Sequence, residues 1–165
     1  MNNIKYIDGD ITKFDIEFNT IVPHVVNNQG LMGTGVAYAL YRKWPNVKSE
    51  YLEWSNDPRS FQLGQTQFVR CEGAHPSFWV ANMIAQRYPG GYMVSNKYIR
   101  PIMLEALEEC MLRVKRYALL NNSKIVAPMF GSDRAGGDWE LEIEPMIKSL
   151  WSDLDVTIIS WSKNV

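Results

Sequence analysis

Twice along this 165-residue chain an apolar, β-branched run passes into a glycine-bearing loop and then into helical spacing, and that repeated order limits the available folds. The first unit is residues 20–26 (TIVPHVV), the loop Asn27-Asn28-Gln29-Gly30-Leu31-Met32-Gly33-Thr34-Gly35, and residues 36–43, where Val36, Ala39, Leu40 and Lys43 recur at helical intervals. The second is the short buried run 124–127, the loop 128–137 (PMFGSDRAGG) and the helical pattern 139–151. A strand that ends in such a loop aims backbone N–H groups and a helix N-terminus at an anion. In open α/β sheets ligands sit outside the carboxyl ends of strands, so both loops can wrap one phosphate-bearing ligand. Glycines that merely permit tight turns would give the same composition. Neither loop is a P-loop, because no Gly-Lys-Ser/Thr follows, and Tyr38 stands where a dinucleotide fingerprint needs a third small residue.

The remaining pattern alternates strands with helices. Ile4 and Tyr6 precede the polar turn Asp8-Gly9-Asp10 and read as a short strand. Pro23 lacks a ladder N–H, which puts its strand at an edge or bulge, or marks a point where the pairing partner is missing. Trp44-Pro45 stops the first helix, and residues 47–54 place Val47, Tyr51 and Trp54 on one helical face. Residues 66–70 and 78–84 read as a hairpin in outline, and 87–95 as loop. From 101 to 120 an apolar stripe through Met103, Leu107, Cys110, Met111, Val114, Tyr117 and Ala118 predicts the best helix in the chain. Pro145 either kinks the 139–151 pattern or marks the first turn of a second helix. Residues 156–160 close the series as a strand. The expected architecture is a three-layer α/β/α sandwich with a central mixed, largely parallel sheet, as one domain over residues 1–165.

Composition narrows the function classes. With 17 Lys+Arg against 18 Asp+Glu the net charge is −1, which argues against a groove that tracks a nucleic-acid backbone. The two cysteines, Cys71 and Cys110, form no metal-ligand spacing and no disulfide framework, so no metal is expected and the expected setting is the reducing cytoplasm. No signal-peptide pattern and no long apolar run point to a membrane. His24, at the carboxyl end of its strand, is the titratable group best placed for acid–base work, although a hydrogen-bonded structural histidine fits the same apolar run. His75, beside Pro76, reads as an exposed turn residue.

Gly9-Asp10-Ile11-Thr12, the stretch from His24 to Ala37 (HVVNNQGLMGTGVA) and PMFGSDRAGGDWE from Pro128 to Glu140 together resemble the macro domain, the ADP-ribose-binding α/β/α module. Order and spacing match along nearly the whole chain. The resemblance is strongest to the branch holding ADP-ribose 1″-phosphate phosphatases and terminal ADP-ribose protein glycohydrolases. It implies that Asp10 accepts from the adenine amino group with Ile11 beside it, and that Asn27 meets the distal ribose. Met32, Gly33, Thr34, Gly35 and Val36 would hold the diphosphate through main-chain N–H groups. Gly131, Ser132, Asp133, Arg134, Ala135 and Gly136 would form the facing loop, and Trp161 would stack on adenine.

Glycohydrolases of this branch use a Lys and an Asp at positions that here match Gln86 and Ala135, and a Gln forms no Schiff base. The Ala-Gly-Gly ending of the second loop resembles the phosphatase members. The resemblance therefore implies a monomeric phosphatase without cofactor, hydrolysing ADP-ribose 1″-phosphate to ADP-ribose and phosphate. His24 is the candidate acid or base, Asn27 fixes the ribose, and Asp133 or Ser132 orients water. The alternatives are a non-catalytic ADP-ribose reader and an ADP-ribosyl hydrolase acting on protein or nucleic acid.

Overall fold

The computed structural model describes residues 4–14, 16–17, 19–71 and 77–160. Eight strands are present: β1 Ile4–Asp8, β2 Thr20–Asn27, β3 Thr66–Arg70, β4 Trp79–Gln86, β5 Tyr92–Val94, β6 Lys97–Ile99, β7 Lys124–Pro128 and β8 Val156–Ser160. The helices are α1 Gly35–Lys43, α2 Asn46–Trp54, α3 Leu104–Asn121 and α4 Glu144–Leu150. Six strands form one sheet in the order β1-β8-β7-β2-β4-β3, parallel at every pairing except the antiparallel β3–β4 edge. This is the expected mixed, largely parallel sheet between helical layers.

Side-chain alternation divides the strands between two cores. Ile21, Ala81, Met83, Ile125, Ala127 and Ile158 pack with Leu107, Met111 and Val114 of α3 and Ile147 of α4. On the opposite face Val22, Val26, Val80, Ile84 and Val126 pack with Leu40 of α1 and Val47 and Tyr51 of α2. Trp151 closes the first core, fully buried, with its indole Nε1 donating to the Met111 carbonyl at 2.8 Å. Burial satisfies both halves of that side chain, apolar ring and polar N–H.

One element departs from the sequence reading, and at Pro23 and Pro145 the structure decides between the alternatives it left open. β2 is a central strand whose pairing partner is missing at Pro23. Its ladder to β7 has register partners only at Thr20 and Ile21, so pairing on that side opens before Pro23, while β4 pairs it from Ile21 to Asn27. Residues 87–95 are not all loop: β5 and β6 form a small antiparallel hairpin turning at Ser95 and Asn96, both with positive φ (49° and 63°). Two positive φ angles make the tight turn that matches strand twist, and Ser-Asn is a weaker cue for it than Asn-Gly. Residues 139–151 split into a π-helical turn, Trp139–Ile143, and α4, with Pro145 in the first turn where its missing N–H costs nothing.

Trp151→Ala should cost about 3–5 kcal/mol of stability through the cavity it leaves and the indole bond to the Met111 carbonyl it removes. Urea unfolding followed by far-UV circular dichroism measures this, and a loss below about 1 kcal/mol would contradict the packing described.

Candidate functional site

β2 and β7 are neighbours, yet the chain leaves β2 toward α1 on one face and leaves β7 toward α4 on the other. Adjacent strands that depart to opposite faces create a crevice at their carboxyl ends. The early end of the β2–β7 ladder widens it. A cavity of about 430 Å³ lies there, within the usual range for a small-molecule site.

The two glycine loops form its walls. Met32, Gly33, Thr34, Gly35 and Val36 line one side, and Gly131, Asp133, Arg134 and Ala135 the other. A Cβ built on Gly33 or Gly35 would meet no protein atom within 4 Å, so a ligand can approach the backbone at both. Gly35 also has φ +63°, a conformation that favours glycine. Thr34 caps α1 without a side-chain hydrogen bond, and the first turn carries no acidic residue. The first N–H groups of α1 therefore lack a cap and a neutralising charge where residues 33–37 line the cavity. The second loop is closed on itself: Gly137 N–H donates to the Gly131 carbonyl at 2.8 Å, and a Cβ on Gly137 would stand 2.5 Å from that oxygen. Arg100 braces the same loop by a two-pronged contact with Glu142 (2.5 and 2.6 Å) and a bond to the Gly136 carbonyl (3.3 Å). The Arg100 guanidinium and the Asp138 N–H hold the Glu142 carboxyl at a pKa of about 2.

The floor carries two amides, Asn27 and Gln86, which are register partners beyond a bulge in the β2–β4 ladder. Asn27 is turned inward. Its Oδ1 accepts from Gln29 N at 2.9 Å and its Nδ2 donates to the Leu31 carbonyl at 2.6 Å, so the side chain is spent on shaping the first loop. Tyr51 of α2 donates its buried hydroxyl to the Asn27 carbonyl at 2.7 Å. The sequence showed Tyr51 only as one residue of a helical face, with no signal of this positioning contact.

His24 does not present its ring for proton transfer. It is 2% exposed, and its Nε2 donates to Asn82 Oδ1 at 2.5 Å. Asn82 Nδ2 in turn donates to Gln67 Oε1 (3.0 Å) and the Val47 carbonyl (3.3 Å), which orients the Asn82 amide and places the His24 proton on Nε2. Gln67 extends the chain to the Glu50 carbonyl at 2.9 Å. Burial lowers the His24 pKa to about 4, so the imidazole is neutral at pH 7. This burial and the bond to Asn82 fit the hydrogen-bonded structural histidine of the sequence reading.

His24 is among the residues that line the cavity, whereas Asp10, Ile11, Ser132 and Gly136 are not. Asp10 caps the turn Ile11–Lys13, its Oδ1 accepting from Thr12 N (2.8 Å) and Thr12 Oγ1 (2.7 Å). These bonds hold its carboxyl below the usual carboxylate range. Ile11 is buried in the core beside α1. Ser132 donates its hydroxyl to the Met129 carbonyl at 2.6 Å instead of facing the crevice. Gly136 backs onto Arg100. Trp161 and His75 lie outside the described residues. Asp133 is the sole carboxylate among the described lining residues.

No group of three or more His, Cys, Asp or Glu is placed to hold a metal ion among the described residues, and none of their helices is long and apolar enough to cross a membrane. Cys71 and Cys110 are both buried, and burial raises each thiol to a pKa of about 12.

No protein-family model and no curated protein sequence matches the chain. Solved structures do. A protein of unknown function from Bacteroides thetaiotaomicron is 31% identical with a TM-score of 0.84, over 96% of this chain and 98% of that one. A macrodomain protein from Streptomyces coelicolor is 29% identical with a TM-score of 0.77, over 97% of this chain and 100% of that one. This chain has the macrodomain fold. Thermosipho africanus DarTG, solved in complex with ADP-ribose, matches this chain at 14% identity and a TM-score of 0.68, over 88% of this chain and 38% of that one.

The buried histidine sets an acid limit on the stability of this protein. Its folded pKa of about 4 lies below the ordinary 6.5, so protonation favours the unfolded chain. The His24 contribution is complete above pH 6.5 and is lost as pH falls from 6.5 through 4, in total about 3 kcal/mol. The His24 ring signals in NMR should stay flat from pH 7 to pH 5, and a midpoint near 6.5 would contradict this burial.

Proposed function

We propose that the crevice binds ADP-ribose, with its diphosphate between the two loops and its terminal ribose over the Asn27–Gln86 floor, and that the protein hydrolyses the phosphomonoester of ADP-ribose 1″-phosphate. The observation that carries this reading is the uncapped, uncompensated N-terminus of α1 opening onto the cavity opposite the closed second loop. Preorganised N–H dipoles of this kind favour a bound phosphate and the negative charge that develops on it. The macrodomain fold, and the ADP-ribose held by DarTG, agree with it.

In this reading the adenine lies toward Asp10, at the carboxyl end of β1 along the same sheet edge, where Oδ2 has no partner among the described residues. Asp133 takes the role of the base that orients water toward phosphorus, being the lining carboxylate, and the loops supply the electrostatic part. His24 and Ser132 have no role in the chemical step.

The burial of His24 favours one alternative, a non-catalytic reader that binds ADP-ribose without turnover, because it removes the imidazole from the reacting atoms. Phosphate release from ADP-ribose 1″-phosphate, with ADP-ribose as competitive inhibitor, separates the two. The phosphatase reading expects release that Asp133→Asn lowers about a hundredfold or more. Tight binding in calorimetry with no release would leave the reader. Gly33→Glu should abolish binding of ADP-ribose at unchanged thermal stability, since the new Cβ meets open space and the carboxylate occupies the anion cradle. Retained affinity in that variant would place the ligand elsewhere.

A further inference from the structure

Among the amides at the cavity floor, one is spent and one is not. Both polar ends of Asn27 are engaged within the first loop. Gln86 is only 8% exposed, and its Nε2 donates to two backbone carbonyls, Tyr88 O at 3.0 Å and Pro89 O at 3.4 Å. Carbonyl oxygens only accept, so the nitrogen must face them and the amide admits a single orientation. Gln86 Oε1 is left with no partner among the described residues. It is not sealed in the core either: the buried side-chain atoms without a partner are Thr20 Oγ1 and His24 Nδ1, and Gln86 Oε1 is not one of them. Gln86 lines the cavity, so the cavity is the open space its unpartnered oxygen can meet.

The backbone that orients Gln86 is itself constrained. Tyr88 has φ +67°, unusual for an aromatic residue, and persists only because its surroundings over-determine it. Its N–H donates to Asn28 Oδ1 at 3.3 Å, its ring meets Tyr92 edge-on at 5.0 Å, and the preceding Arg87 N–H donates to the Pro101 carbonyl at 2.9 Å. These contacts run from the first loop and from the segment after the β5–β6 hairpin, and their result is that two carbonyls converge on one amide nitrogen.

We propose that Gln86 is a specificity-determining residue, whose locked Oε1 demands a hydrogen-bond donor from the ligand at the cavity floor and thereby selects a terminal-ribose hydroxyl, present in ADP-ribose and in its 1″-phosphate alike, over the terminal phosphate of ADP. The inference rests on the ADP-ribose reading above and names what that site discriminates. A side chain free to rotate could offer either end of its amide; this one offers an acceptor only. A hydroxyl satisfies it, whereas a phosphate oxygen is an acceptor facing an acceptor.

The test compares four ligands by calorimetry: ADP-ribose, its 2″-deoxy and 3″-deoxy forms, each lacking one terminal-ribose hydroxyl, and ADP. Wild-type protein should bind ADP-ribose at least tenfold more tightly than ADP and than one of the two deoxy forms. Gln86→Leu should lose about tenfold for ADP-ribose, leave ADP within about twofold, and erase the preference between ADP-ribose and that deoxy form. Gln86→Met, with a more adaptable side chain, repeats the measurement should Gln86→Leu fail to fold. A merely structural role would weaken all four ligands together and would overturn the inference, as would equal wild-type affinity for ADP-ribose and both deoxy forms. Wild-type protein that binds no ADP-ribose overturns the functional reading, and this inference with it. Wild-type binding with unaltered discrimination in both Gln86 variants overturns this inference alone.

Discussion

Everything at the site depends on the parting of two parallel strands. β2 and β7 share register only at Thr20 and Ile21, then diverge as one chain path turns to the α1 face and the other to the α4 face. Backbone groups released from pairing must find other partners, because buried N–H and C=O groups are rarely left bare. Here the crevice supplies them partly through Asn27, whose amide replaces ladder bonds for Gln29 and Leu31, and partly through the Gly131–Gly137 closure. The cavity is thus a by-product of topology, and the glycine loops are the means by which its walls stay thin.

The fold was legible where periodicity and length agreed. The 18-residue α3, with its apolar stripe, and β8, with Val156, Ile158 and Ile159 buried, declare themselves in sequence because each buries a regular face. The β5–β6 hairpin did not: its strands have three residues each and no buried face, so no alternation exists to read. Pro23 left its alternatives open for a related reason. A missing N–H is tolerated wherever a strand is unpaired on one side, and local sequence does not say whether that is an edge or a neighbouring ladder that stops early.

The site was legible in position and not in detail. Glycine and loop length identify which segments face a ligand, since those properties belong to the backbone. Side-chain direction is a tertiary property. His24, Ser132 and Asn27 stand in the expected segments, yet each spends its polar atoms on Asn82, on Met129 and on its own loop respectively. Gln86 carries the opposite lesson, because a residue that looks like the loss of a lysine acquires a defined orientation from two carbonyls that no one-dimensional pattern displays.

The polar chain from His24 through Asn82 and Gln67 to the Glu50 carbonyl crosses three strands and ends on a helix. The two links between strands join register partners, His24 with Asn82 and Asn82 with Gln67. A slip of β4 by one residue would swap Asn82 for an apolar neighbour and bury four unmatched polar groups at once. The chain therefore acts as a key for strand alignment, one that hydrophobic packing among interchangeable Val, Ile and Ala side chains could not supply. Misaligned sheets are excluded by chemistry before the crevice has formed.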